Sequence, residues 1–395
     1  MTLIVLFWIL LFIIIYTFVG YAVILWILVK FKNLFYPGKK QGFDLSYEPE
    51  VCLFVTAYNE VYYIKQKVAN SFQVDYPKEK IQYVWVTDGS DDGTPEILKT
   101  YPELEVHHQS ERRGKMHAMN RGMKFVKAPI VIFSDSNTLL NKNAIREIVK
   151  RFSNKKVGCV AGEKRIIENK SESAAGAGEG LYWRFESFIK KYDAELNSAV
   201  GAAGELFAVR TELFEDVEPD TLLDDFIISL RIALKGYKID YAPEAYASET
   251  ASVNMKEELK RKIRIAAGGV QSIVRLKQLF NVFKCGLLTW QYISHKVLRW
   301  TLTPLALFLI FFVNLGIVLD NNSWGSINFY ALFFYFQSLC YLVALIGGYY
   351  ANKKIKSKFL FAPYYFVMIN YAAIRGIFRY LRGQQSVNWE KSKRA

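Results

Sequence analysis

The sequence holds only four cysteines. Cys52, Cys159, Cys285 and Cys340 lie far apart with no CxxC spacing among them. That argues against a zinc site or a disulfide framework and suits a reducing compartment. No GxGxxG follows the apolar run Val51–Val55, so the dinucleotide turn of an oxidoreductase is missing. Charge is absent from Thr2 to Val29, from Trp300 to Leu319 and from Phe329 to Tyr350. About 20 apolar residues cross a bilayer, so each of these runs is long enough to span. The first run lacks the basic start, short core and small-residue cleavage site of a signal peptide, and it reads as an anchor over residues 1–30.

Basic charge lies beside these runs. The chain of 395 residues carries a formal net charge of +14 with 52 % hydrophobic residues. Basic residues flank the apolar segments, as in Lys353-Lys354-Ile355-Lys356-Ser357-Lys358, which favours membrane lipids over nucleic acid as the partner. Lys30 and Lys32 close the first run, so the positive-inside rule puts the residues after Lys30 in the cytoplasm. Residues 300–319 and 329–350 read as spans around an outer loop lacking Lys and Arg. The run Phe359–Ile374 is short, contains Pro363 and leads into Arg375, Arg379 and Arg382. A simple crossing would put the basic tail 381–395 outside, so 359–380 is expected to be re-entrant or interfacial, within a membrane region covering 300–380. Residues 271–299 mix Lys with Leu, Phe and Trp and read as interfacial helices. The result is a multi-pass membrane protein with a cytoplasmic domain over 39–270.

In that domain short apolar runs alternate with helical patterns. Val51–Val55, Tyr83–Val86, Pro129–Phe133 and Val157–Ala161 read as buried strands, and Glu60–Phe72, Thr94–Thr100 and Lys115–Val126 as helices. Such alternation implies crossover units and a mainly parallel α/β sheet, whose ligands bind beyond the carboxyl ends of the strands. Those ends read Thr56-Ala57-Tyr58-Asn59-Glu60, Asp88-Gly89-Ser90-Asp91-Asp92-Gly93-Thr94 and Ser134-Asp135-Ser136-Asn137. Each alone is explained by a tight turn or a helix cap. Three acidic ends on one rim repel one another unless a cation or ligand compensates.

In order and spacing these segments, with Gly114-Lys115, Asn120 and Gly122, then Gly201-Ala202-Ala203-Gly204-Glu205-Leu206-Phe207 and Leu223-Asp224-Asp225, resemble the membrane-bound family 2 glycosyltransferases, in particular their polysaccharide-synthase branch. The resemblance implies a GT-A fold and an inverting hexosyl- or N-acetylhexosaminyltransferase. It implies a nucleotide-sugar donor such as a UDP-sugar, Mg2+ or Mn2+, and a growing glycan or a lipid-linked acceptor. It assigns Thr56, Ala57, Glu60, Asp88 and Lys115 to the donor and Asp135 to donor and metal. Asn137 stands where a second metal Asp is usual. Asp225 is the expected general base, supported by Asp224, with Gly204 and Glu205 on the acceptor side. Of a Gln-x-x-Arg-Trp signature the chain keeps Arg264, expected to face the donor phosphates; Arg261 replaces the glutamine and adds charge near the donor, and Ile265 replaces the acceptor-stacking aromatic. Losing that aromatic puts processive synthesis in question, and a non-catalytic scaffold or transporter component is the rival class. Gly176, Gly178 and Gly180 are expected in a flexible acceptor-side loop, because no strand precedes them and no Lys-Ser/Thr comes after. His107 and His108 are expected on the surface.

Overall fold

The computed structural model describes residues 1–36, 42–167, 174–320, 328–351 and 358–384. The outer loop, the Lys353–Lys358 segment up to residue 357, and the tail from 385 onward lie outside them. The N-terminal run is a helix, α1 (Thr2–Phe35), with one π turn at Tyr16–Gly20. The soluble domain then alternates β1 (Val51–Ala57), α2 (Val61–Phe72), β2 (Ile81–Asp88), α3 (Thr94–Lys99), β3 (Glu105–Gln109), α4 (Lys115–Met123) and β4 (Ile130–Asp135). It continues with β5 (Leu139–Leu140), α5 (Ala144–Val149), β6 (Val157–Ile167), α6 (Ala174–Leu196), β7 (Leu206–Arg210), α7 (Asp224–Leu234) and β8 (Lys238–Thr250).

Among the described residues these strands form one sheet in the order β3-β2-β1-β4-β7-β6-β8-β5. The parallel half is built on β1, which pairs with β2 and β4 and is buried along its whole length. A strand buried on both faces has to be apolar throughout, and Val51-Cys52-Leu53-Phe54-Val55 is. Successive side chains serve opposite cores: Cys52 and Phe54 pack with Val84, Val131 and Phe133, while Val51, Leu53 and Val55 pack with Trp85, Ile130 and Ile132. The sheet is mixed: β7 runs antiparallel to both β4 and β6, and β5 antiparallel to β8.

Two expectations about the soluble domain change. The glycine-containing stretch 174–180 is the start of α6, not a loop. Three glycines weaken a helix locally, but Tyr21, Leu25 and Ile189 pack together farther along, and tertiary packing carries most helical stability. His107 and His108 are half-buried on edge strand β3: His107 stacks on Phe125 at 3.6 Å and His108 Nδ1 lies 2.8 Å from Thr87 Oγ1.

After β8 comes α8 (Met255–Arg275), capped by Asn254 accepting from the Glu257 N–H. It runs through position 270, the expected domain boundary. Short helical turns over Val282–Trp300 lead to α9 (Leu302–Asp320) and α10 (Phe329–Tyr350). With α1, these two are long and apolar enough to cross a membrane; Phe7, Leu10 and Leu11 of α1 pack with Ala306, Ile310 and Ile317 of α9. The segment 359–374 makes no reversal, as a re-entrant loop would. It lies in one helix, α11 (Lys358–Leu381), that packs along α8. Small residues allow the approach: a Cβ on Gly376 would lie 2.5 Å from Ala266 Cβ and 2.8 Å from Ala267 N.

Gly376→Val therefore forces α8 and α11 apart, and overpacking of this kind costs about 1–3 kcal/mol. We expect a lower thermal midpoint for the detergent-solubilised protein. Gly316→Ala, whose new Cβ would meet only Leu3 at 3.4 Å, should melt close to the parent.

Candidate active site

The order of β2, β1 and β4 opens a crevice at their carboxyl ends, where the direction of strand progression reverses. The loops there are stapled together. Asn59, at φ 52°, donates through Nδ2 to Asp91 Oδ1 (2.8 Å), while Asp92 accepts from the Val61 and Thr94 N–H groups (3.1 and 3.0 Å). Asp91 and Asp92 thus hold the turn, the structural role open to such residues. Asp88 differs. Its Oδ2 accepts from the backbone N–H groups of Arg113 and Gly114 (2.9 and 2.7 Å). Its buried Oδ1 has no hydrogen-bond partner among the described residues. A small pocket there is lined by Thr56, Ala57, Tyr58, Asp88, Arg112 and Lys115, with the Arg112 guanidinium 3.9 Å from the Tyr58 ring centre.

Lys115 joins this pocket to a larger one of about 240 Å³. Gly114, at φ 97°, turns the chain into α4, and Lys115 Nζ then lies 3.1 Å from both Asp135 Oδ1 and Asp224 Oδ2. Lys115 is half-buried, and its desolvation opposes the charge, yet Asp135 and Asp224 hold its pKa above the ordinary lysine value. Asp224 and Asp225 open α7, where the helix dipole also favours negative charge. Burial, then the Asp224 charge, pushes the Asp225 carboxyl up to about 7. Gly204 faces it: a Cβ there would be 3.7 Å from Asp225 Oδ2. Behind Asp135, the buried Lys67 donates to Ser134 Oγ (2.6 Å) and the Thr138 carbonyl (2.8 Å), fixing the turn that carries Asp135 and Asn137.

The same cavity gathers Glu60, Asn137, Gly204, Glu205, Arg261, Arg264 and Ile265. Glu205 is salt-bridged to the buried Lys164 at 2.6 Å; burial raises its pKa but Lys164 outweighs it, giving about 2. Arg261 lines the cavity with its guanidinium engaged by Glu258 through two hydrogen bonds of 3.0 and 3.1 Å. Arg264 is the half-buried arginine of that helix face. Sequence reasoning missed the opposite wall. Tyr182, Glu186 and Lys190 recur every fourth residue on α6 and, with Trp183, Lys296 and Trp300, face the cavity. That spacing was the available signal.

A divalent cation fits this donor set. Among the described residues no cluster of three His, Cys, Asp or Glu side chains forms a protein-only cage. Asp135 and Asn137 instead offer one carboxylate and one amide oxygen to the cavity. That is how Mg2+-type ions bind when phosphates and water complete the shell.

The profile of "Glycosyltransferase like family 2" matches residues 49–268. The chain belongs to this family. Poly-beta-1,6-N-acetyl-D-glucosamine synthase of Staphylococcus aureus (strain COL) is 25 % identical over 254 residues, covering 62 % of this chain and 60 % of the synthase. The Staphylococcus epidermidis synthase is 25 % identical over 237 residues, covering 57 % and 56 %. The chain therefore matches less than two thirds of either relative. A solved mannosyltransferase from Pyrobaculum calidifontis, in complex with GDP-Man and Mn2+, superposes with a TM-score of 0.69 at 21 % identity, covering 96 % of this chain and 100 % of that one. The fold of this family 2 glycosyltransferase is accordingly GT-A.

Lys115→Met would leave Asp135, Asp224 and Asp225 without their shared counter-charge. Lys115 lowers the Asp225 pKa, so in the variant it titrates higher and repulsion appears only once the carboxyl ionises. The loss of thermal stability against the parent should be larger at pH 8.5 than at pH 5.5; an equal loss at both would contradict this electrostatic role.

Proposed function

We propose that this glycosyltransferase moves a sugar, with inversion, from a UDP-sugar to a growing glycan at the cytoplasmic face of a membrane. The observation that carries the reading is Asp225: a carboxyl with its pKa pushed up to about 7, sharing one cavity with Asp135 and Lys115. A base tuned near neutrality accepts a proton efficiently at working pH. Asp225 takes the proton of the acceptor hydroxyl as that oxygen bonds to the anomeric carbon. The bond from that carbon to the diphosphate breaks on the opposite side, and the nucleoside diphosphate leaves. One displacement inverts the centre, so no carboxylate nucleophile is required.

Lys115 and Arg264 supply positive charge toward the departing diphosphate. Asp135 and Asn137 would hold Mg2+ or Mn2+, which when bound adds charge neutralisation at the same oxygens. Asp88 Oδ1, without a hydrogen-bond partner among the described residues, is an acceptor and suits the N3–H of uracil, whereas cytosine presents an acceptor at that position. The narrow space beside Tyr58 and Arg112 favours the smaller base over guanine. Lys30 and Lys32 after the first apolar run support a cytoplasmic catalytic domain, and the basic α11 supports an interfacial position for 359–380.

The base acts on the acceptor, so its loss belongs to the transition state rather than to donor binding. Asp225→Asn should lower turnover by about 10²–10⁴-fold while the UDP-sugar dissociation constant stays within a few-fold. Asp224→Asn should cost less in turnover and more in donor binding. Near-normal turnover in Asp225→Asn, with turnover abolished in Asp224→Asn, would move the base one residue earlier.

Hydrolysis of a panel of nucleotide sugars, with and without excess chelator, tests the donor class. Uridine donors should be preferred, and chelation should abolish turnover and weaken UDP binding. Full transfer in chelator would sink the metal assignment.

A further inference from the structure

A second cavity, of about 110 Å³, adjoins the first and shares Tyr182, Trp183, Glu186, Ile265, Lys296 and Trp300 with it. It leads away from the sugar-transfer site toward the membrane helices. Its outer wall is Phe18, on the π turn of α1, and Ile369, Asn370 and Ala373 on α11. Phe18 and Phe366 touch across this gap with ring centres 5.0 Å apart. The neighbouring Val19 and Phe366 are 57 % and 38 % exposed, so the gap opens among apolar side chains that face outward.

The inner wall is cationic. Lys262, Lys296 and Arg299 line it, and among the described residues Glu258 pairs with Lys262 and Glu186 with Lys296 and Arg299. Glu258 also engages Arg261, and Glu186 lies 3.2 Å from His295. Among the described residues, positive side chains thus outnumber carboxylates in a half-enclosed space with aromatic walls. Lys262 lies 4.1 Å from the Tyr182 ring centre, and Arg299 lies 5.8 Å from the same ring. A cationic floor, amphipathic rings and an apolar mouth suit a ligand with an anionic head and a hydrocarbon tail.

We propose that this cavity holds the phosphate of a lipid-linked acceptor, whose hydrocarbon chain leaves between Phe18 of α1 and Ile369 and Ala373 of α11. The inference rests on the sugar-transfer reading of the larger cavity. With the phosphate among Lys262, Lys296 and Arg299, the attached sugar extends past Ile265 toward Asp225. The shorter Ile265 leaves room there, and the lipid anchor supplies the positioning that a stacked aromatic would otherwise give. Growth then occurs on an anchored glycan, one transfer at a time.

The test uses the full chain in detergent micelles. Binding of farnesyl phosphate is measured against farnesol, phosphatidylglycerol and inorganic phosphate, and binding of UDP is followed separately by calorimetry. The proposal expects farnesyl phosphate to bind at least about tenfold tighter than each comparator. Arg299→Gln, which removes a cation, and Ala373→Phe, which fills the mouth and touches no ion pair, should each weaken it by about tenfold while UDP binding is retained. Equal binding of phosphatidylglycerol would mean a general anionic-lipid surface and overturn the proposal. So would equal binding of farnesol, or undiminished binding in Ala373→Phe. Failure of the parent protein to bind UDP would instead count against the sugar-transfer reading.

Discussion

Like charges crowd the carboxyl end of the sheet, and one lysine makes that crowding tolerable. Asp135 ends β4, Asp224 and Asp225 open α7, and Lys115 reaches the first two at 3.1 Å. Much of the surrounding architecture serves to keep these groups together. Gly114 adopts a positive φ so that α4 can start with its lysine on the rim. Lys67 is buried behind the turn after β4, with burial pulling its pKa down to about 7, and spends its donors on Ser134 and Thr138. Gly204 leaves open the space in front of Asp225. A cavity maintained in this way keeps the Asp225 carboxyl a poor acid, which is what the proposed general base requires.

The half of the site built from local signals could be read from the chain. Thr56, Asp88, Lys115 and Asp135 each lie at the end of a short buried strand or begin a helix, and strand ends meet on one rim in any parallel sheet. The other half depends on contacts distant in sequence. Nothing near Leu206–Arg210 announces that this strand inserts antiparallel between β4 and β6. Gly176, Gly178 and Gly180 argue locally against a helix, and the burial of Ile189 against Tyr21 and Leu25 overrides them. Arg261 sits at a motif position, but its partner Glu258 is one helical turn away and takes up the guanidinium. Local patterns locate a residue; they do not say what has already engaged it.

The first membrane helix is joined to the soluble domain by polar contacts as well as apolar ones. Tyr21 donates to Asp193, which also meets His295 at 2.7 Å and accepts from Gln291 Nε2 at 3.0 Å. Lys32 Nζ donates to the Glu195 and Leu196 carbonyls at the end of α6, as a cation should at a helix C-terminus. Buried polar groups with several partners each define orientation more sharply than apolar packing does. Because α6 also carries Tyr182 and Glu186, one rigid element runs from the membrane helix to the cavity wall.

α8 has two masters. One face presents Arg264 and Ile265 to the cavity, and the other presses Ala266 and Ala267 against Gly376 while Glu258 accepts from the Tyr365 hydroxyl at 3.0 Å. Severing the chain between α8 and α11 would strip support from a helix that lines the larger cavity, and would leave Glu258 without that donor. In engineering terms the catalytic portion is not a detachable cartridge: a water-soluble version needs a substitute for α11, not just a shorter gene.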